Sequence, residues 1–401
     1  MMLKYHQILL VLFVVAGLAS AESRSWQAIK SEARGQTVSW FMWGGFPAAN
    51  AYVNGYVANQ VQTRFDITLK QVPVQDIAEV VSKLVVEKQA GRTTGQVDLM
   101  WINGENFRTC KQYELLYGPF AERLPNRRYV DTSDPAIQND FGEPVEGLES
   151  PWGSAQFVMI YDSTRTPKPP RTVVALLQWI RDHPGRFTYP APPDFTGSAF
   201  LRHIFYHVAG PDSLWQHNYD NRAFRDAASQ TYALLREQKP HLWRNGQTFP
   251  ESPLRLSQMF ADGEVDFSMS YHPAEASQMI QDGLLPPSTR TYVFEGGSIA
   301  NTHFVAIPFN ASAPAAAMVV ANFLLSPEAQ LHKADSRVWG DLPVIDFSLL
   351  SPAWQQKFTE LPRGIATLPY NELQRRQLQE PTSDILIELE QGWERHVLRT
   401  R

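Results

Sequence analysis

The apolar run Val38-Ser39-Trp40-Phe41-Met42 ends on Trp43, Gly44, Gly45, Phe46 and Pro47. An indole before two glycines has two readings. Either a core strand enters a tight turn, with glycine taking unusual dihedrals and proline stopping further pairing, or the backbone is stripped of side chains so that a ligand approaches beneath Trp43. A second group is Asn103, Gly104, Glu105 and Asn106, where a strand gives way to a helix. Asn103 could serve as a helix cap. Glu105 beside aromatics suits an ammonium or thiazolium, although the helix dipole alone also favours an acid there. Thr196, Gly197 and Ser198 open another helix, whose free amides and hydroxyls would suit a phosphate or carboxylate, or would simply be capped.

Further candidates are Trp152 and Gln156, Tyr271 and His272, Asn301 and His303, and Trp339. Their aromatics could form a box around a flat or cationic ligand, while core packing is the ordinary fate of any one of them alone. His203 and His207 have the i, i+4 spacing that shares one helix face, but there is no HExxH acid and no nearby cysteine, so no metal site is expected. GxSxG, a cysteine beside a histidine and a recognisable carboxylate pair are all missing, which disfavours an exported hydrolase. No catalytic residue and no cofactor are expected.

These residues need elements to hold them. From residue 37 onward, short apolar runs alternate with amphipathic stretches, the pattern of an α/β layer structure with largely parallel strands. Strands are expected at 38–42, 67–72 and 97–101, with helices at 49–62 and 77–90, so three strand ends face one edge, where open sheets place ligands. After a polar, proline-rich interval, residues 152–163 read as a long strand. A helix at 173–181, a strand at 187–190, a helix after "APPDFTGSAF", a helix ending at Gly263, a strand at 265–272 and a helix at 273–283 then suggest a second α/β lobe of similar plan. The chain returns through a broken strand pair at 291–308. Helices follow with Pro314 in a first turn and with Ser326-Pro327-Glu328 as cap, first residue and dipole-matched acid. Two crossing strands, near 155–160 and 301–307, imply a hinge with a cleft. The expected units are 22–155 with 300–345 as a discontinuous first lobe, 156–299 as the second, and 346–401 as a helical segment packing on the first.

The chain opens with Lys4, an apolar run from Ile8 to Leu18, and small residues at Ala19 and Ala21. The run is short of the roughly 20 residues a membrane crossing takes, and the order is that of a signal peptide cleaved after Ala21. Removing Lys4 with it takes the formal charge from −5 to −6. That mild acidity offers no basic stripe for nucleic acid and hints weakly at cationic ligands. Cys110 is the only cysteine, so no internal disulfide forms, and an exported chain without one fits the periplasm.

The exported start together with "TVSWFMWGG", "VDLMWINGENF", "WGSAQFVMIYDS", "YPAPPDFTGSAFL", "FADGEVDFSMSY" and "ANFLLSPEAQ" resembles the bacterial periplasmic solute-binding proteins of ABC importers. The likeness is to the branch with thiamine-, polyamine- and ferric-iron-binding members, and it covers nearly the whole mature chain in order. It implies a type II periplasmic-binding fold, α/β with two lobes closing on one small-molecule solute. It also implies partners in an inner-membrane permease and its ATP-binding subunit, with a monomeric receptor in the periplasm. By this likeness Trp43, Gly44 and Gly45 form an exit loop that touches ligand. A ferric site would show neighbouring tyrosines late in the second lobe, whereas Tyr271 is followed by His272. The solute is therefore expected to be an organic cation or zwitterion, thiamine- or polyamine-like, with a phosphorylated or anionic solute as the alternative if the helix start at 196–198 is the binding element.

Overall fold

A computed structural model describes residues 24–211, 222–374 and 377–400. The expected signal peptide, residues 1–21, lies outside the described residues. The strands are β1 (Thr37–Trp43), β2 (Thr68–Val74), β3 (Leu99–Ile102), β4 (Asn139–Asp140), β5 (Glu143–Pro144), β6 (Glu149–Gln156), β7 (Val158–Asp162), β8 (Phe267–Ser270), β9 (Thr289–Tyr292), β10 (Ser298–Ala306) and β11 (Gln377–Leu378).

In β1, alternation sends Val38, Trp40 and Met42 into the core. It lies between β2 and β3, parallel to both. The helix that follows runs as Pro47–Ala51, a π-helical Tyr52–Val57 and Ala58–Phe65, ending where Asp66 takes a left-handed φ of 58°. β10 joins the other edge of β3 in antiparallel register and pairs along its length with β6, also antiparallel. The first sheet thus has the order β11-β10-β3-β1-β2, with β6 on β10. One core lies on each face: Trp40, Trp152 and the alanine-rich Pro314–Leu324 helix on one, Met100, Ile102, Phe107 and Cys110 on the other.

The expected single strand at 152–163 is two strands in two sheets. At Phe157 the chain leaves β10, its N–H donating to the Ile299 carbonyl at 2.9 Å, and β7 enters a second sheet. That sheet corrects the expectation of a second lobe of similar plan. It has three strands, β8-β7-β9, all antiparallel, under the helices Val173–Asp182, Phe195–Ala209, Arg222–Gln238 and Pro253–Ala261. Residues 187–190 form no strand. Their flanking carbonyls are used singly, Phe187 by the Trp243 amide at 2.8 Å and Arg186 by Asp266 at 2.9 Å, before the prolines at 190, 192 and 193. β6 and β10 carry the chain between the two cores, Val305 lying in the first and Ile299 in the second.

The tail also departs from expectation. Phe347, Leu350, Trp354 and Phe358 lie on the first core, but Ile385, Leu389, Trp393 and Val397 are buried in the second. The last helix, Ser383–Trp393, therefore buries its apolar face in the second lobe, where the first was expected. Its apolar i, i+4, i+8 stripe matches a groove left open by the helices there, and Trp393 Nε1 donates to the Tyr189 hydroxyl at 3.0 Å. No helix among the described residues is long and apolar enough to cross a membrane.

Candidate functional site

The strand exits of the first lobe face the second lobe along a seam, and two side-chain clusters lie on it. The first is aromatic. Trp152 sits 5.1 Å from Trp40, 5.0 Å from Trp101 and 5.4 Å from Trp339, measured between ring centroids, and Trp101 is 4.9 Å from His303. Trp40, Trp152 and Trp339 are fully buried, so this is core. Asp341 holds it together, accepting from Lys333 Nζ at 2.7 Å and lying 3.2 Å from His303 Nε2. Burial pushes the Asp341 carboxyl up, but Lys333 and His303 outweigh it and hold the group below the ordinary range. A Cβ at residue 153 would overlap both Asp341 and Lys333, so Gly153 makes room for the pair. This cluster reaches across the seam. Phe46 lies 5.0 Å from the His272 ring, and the Trp339 carbonyl accepts from His272 Nε2 at 2.8 Å and from Gln278 Nε2 at 2.6 Å. Burial lowers the His272 pKa to about 4, leaving the imidazole neutral at pH 7.

The second cluster is acidic. On the first-lobe side, Gly104 takes a φ of 61° that favours glycine, and its N–H donates to Asp140 Oδ2 at 2.7 Å. Phe141 follows and lies 6.4 Å from Phe195 of the second lobe, which in turn lies 5.0 Å from Tyr271. Behind these rings, Arg202 is fully buried and pairs with Glu380 at 2.9 Å. The Tyr271 hydroxyl donates to Glu380 as well. Ser198 Oγ donates to Glu390 Oε1 at 2.5 Å and accepts from Arg202 at 2.7 Å. One guanidinium thus pairs directly with Glu380 and reaches Glu390 through the Ser198 hydroxyl. Burial raises the Glu390 pKa to about 7, with Ser198 and Arg202 opposing and the charges of Glu105 and Glu380 adding to the rise. Burial likewise raises Asp140 and Glu105. Asn301 on β10 is buried beside Glu380, and neither end of its carboxamide makes a well-formed hydrogen bond among the described residues.

The expected site residues divide accordingly. Ser198, Tyr271 and Asn301 meet in the acidic cluster. Trp152, His303 and Trp339 belong to the aromatic core, with His272 at its seam edge. Glu105 and Asn106 line a cavity of about 310 Å³ with Arg108, Thr109 and Ile387, and Asn103 is half-buried beside it at the β3 exit. Gln156 is buried and donates to the Leu373 carbonyl at 3.1 Å, tying the crossing strand to the tail.

Three residue sets have structural duties that compete with the ligand readings. Trp43 is 49 % exposed, and a Cβ on Gly45 would overlap its own indole, so the space over Gly45 is filled by Trp43 itself. The Gly44 N–H donates to the Val74 carbonyl at 3.0 Å. The amides of Thr196 and Gly197 donate to Asp194 Oδ1 at 3.0 and 2.9 Å, and Gly197 is pressed against the Pro190 carbonyl, so this helix start is occupied by its own cap. His203 is a neutral core histidine with its pKa lowered by burial to about 3. Nδ1 bonds the Ala199 carbonyl and Nε2 accepts from the Ile299 amide, while His207 is exposed. No group of three or more potential metal ligands occurs among the described residues.

Asp140, Phe141, Phe195, Arg202, Glu380 and Glu390 escaped the sequence reading. Phe195 adjoined a chosen loop, but the two glutamates lie in a tail assigned to the wrong lobe.

A family model described as bacterial extracellular solute-binding protein matches residues 56–360. Protein YnjB of Escherichia coli (strain K12) is 43% identical over 387 residues, covering 96% of each chain. Among solved structures, an ABC transporter substrate-binding protein from Bradyrhizobium japonicum superposes with a TM-score of 0.64 at 16% identity, covering 90% of this chain and 99% of that one. A periplasmic thiamin binding protein does so at 0.61 and 16% identity, covering 91% and 96%.

Proposed function

The chain belongs to the family of bacterial extracellular solute-binding proteins, and we propose that within it the chain is the periplasmic receptor of an ABC importer for a small organic cation or zwitterion. The fold is the type II periplasmic-binding fold of its structural neighbours. The family consists of solute binders rather than enzymes, which sets the hydrolase reading aside. Function on this reading needs no covalent step. The solute binds the closed arrangement more tightly than the open one, shifts the equilibrium between them, and the inner-membrane permease with its ATP-binding subunit reads the closed form. The receptor acts as a monomer, exported by the signal peptide at residues 1–21.

One geometric observation favours a cation: Glu105, Asp140 and Glu390 lie along the seam near Phe141, Phe195 and Tyr271 with no ion-pair partner among the described residues, while Arg202 is already paired with Glu380, so burial that now favours the protonated carboxyls would be offset by an entering cation. A cation between such walls gains both charge pairing and ring contact. Tyr271, Phe195 and Phe141 would supply the rings, Glu390 and Glu105 the charge, and Asn301, Ser198 and Asn106 polar contacts. The self-capped helix start at 196–198 weighs against the anionic alternative. Native mass spectrometry of the protein as purified, followed by small-angle scattering with spermidine and with thiamine, tests the reading. The expected result is a retained basic solute and a smaller radius of gyration on adding the matching cation. Compaction by sugar phosphates and by neither cation would overturn it.

A further inference from the structure

We propose that the C-terminal helix Ser383–Trp393 is one wall of the solute cleft, with Ile387 and Glu390 on its cleft side, and that the Arg108–Asp384 ion pair latches this wall to the first lobe. The assignment of the wall to the solute cleft rests on the reading above. The latch does not.

The helix belongs mechanically to the second lobe. β11, just before it, pairs with β10 at Ser298 and Ile299, and Ile385, Leu389, Trp393 and Val397 lie in the second core. Beyond it, Lys239 Nζ donates to the Val397 and Leu398 carbonyls at 2.8 and 3.1 Å, while the Tyr232 hydroxyl donates to the Glu388 and Leu389 carbonyls at 3.3 Å each. Its opposite side carries Asp384, Ile387 and Glu390 at successive i+3 steps, and these meet different neighbours. Asp384 accepts from Arg108 of the first-lobe helix Glu105–Gln112. Ile387 closes the 310 Å³ cavity, whose other walls, among them Val81, Glu105, Asn106, Arg108 and Thr109, all come from the first lobe. Glu390 accepts from Ser198 at the acidic cluster.

Among the described residues, Arg108–Asp384 is the one ion pair that joins an element of the first lobe to the second lobe or its tail. Lobes that swing about β6 and β10 must break this pair to open, because Arg108 travels with one lobe and Asp384 with the other. The two side chains retain 31% and 37% exposure, which places the pair among those of modest strength. A modest latch suits a receptor. It biases closure without trapping the solute.

The test reads the cavity wall directly. A thiol introduced by Ile387→Cys is labelled with a maleimide, while native Cys110 is buried with its thiol pushed up to about 12 and serves as the silent background. Adding Arg108→Ala or Asp384→Ala should speed labelling about two- to fivefold, the range set by a partly exposed pair, with an unchanged melting temperature in the second lobe. The exchanged pair, Arg108→Asp with Asp384→Arg, should return the rate to that of Ile387→Cys alone. Equal rates in every variant, or single-variant effects that the exchange fails to reverse, would overturn the latch. Spermidine or thiamine should slow labelling in the intact pair. If neither does while the exchange cycle behaves as expected, the solute reading fails and the latch stands.

Discussion

At the scale of single residues, the tryptophans separate structure from binding. Trp152 is fully buried against Trp40, Trp101 and Trp339, so Trp152→Ala should cost about 3–5 kcal/mol of stability in denaturant titrations. Trp43 is half exposed, with its indole lying over Gly45, and Trp43→Ala should leave the unfolding midpoint close to that of the parent. If Trp43 meets solute, the same variant should weaken binding of the compacting cation by about 1–3 kcal/mol in calorimetry. Glu390 makes a prediction in pH. Its folded pKa, about 7, lies above the ordinary carboxylate value near 4, so the folded state holds its proton more tightly than the unfolded state. The stabilisation is therefore complete in acid and is lost as pH rises toward 7. Glu390→Gln should remove that part of the slope, giving a flatter melting temperature between about pH 4.5 and 7 in scanning calorimetry. An unchanged slope would mean that the proton sits elsewhere.

At the scale of elements, local chemistry was legible where it closes on itself. Ser326-Pro327-Glu328 begins a helix as expected, with Ser326 Oγ accepting from the Ala329 amide at 3.2 Å. The start at 196–198 was legible as a helix N-terminus but not as an occupied one, because its cap, Asp194, satisfies the amides that a ligand would need. Asp194→Ala should lower stability by about 1 kcal/mol through the lost cap, with Asp194→Asn recovering most of it, as measured by urea unfolding. A large gain in phosphate affinity in Asp194→Ala would instead show that the terminus is an anion site masked by its own cap. Strand direction was less legible. Periodicity marks a strand but not its neighbour, so the second lobe reads as a repeat of the largely parallel first, whereas β7, β8 and β9 pair antiparallel.

At the scale of the whole molecule, the last 24 described residues hold the second lobe together as well as facing the first. Trp393 is fully buried between Tyr189 and Phe249, with ring centroids 6.3 and 5.2 Å away. Trp393→Ala should therefore destabilise the second lobe by about 3–5 kcal/mol, with faster hydrogen exchange in 187–260 and little change in β1 to β3. Uniform loss of protection across both lobes would mean that they unfold as one unit.

Local period, caps and motifs in fixed order were enough for most helices, the strands of the first sheet and the family, but not for residues 187–190, which form no strand, or for 152–163, which divide between two sheets. The sequence by itself also marked Ser198 in a helix's first turn, Tyr271 just past the end of β8 and Asn301 within β10, which meet around Arg202 and Glu380. Tertiary structure decided the rest. Whether a tryptophan is core or cleft depends on what lies opposite, so Trp43 is exposed while Trp152 and Trp339 are buried. The second carboxylate wall came from Glu380 and Glu390, more than 100 residues from Tyr271 along the chain. An amphipathic helix shows in its sequence that one face must be buried, but not against which lobe, because any apolar groove of the right width satisfies it.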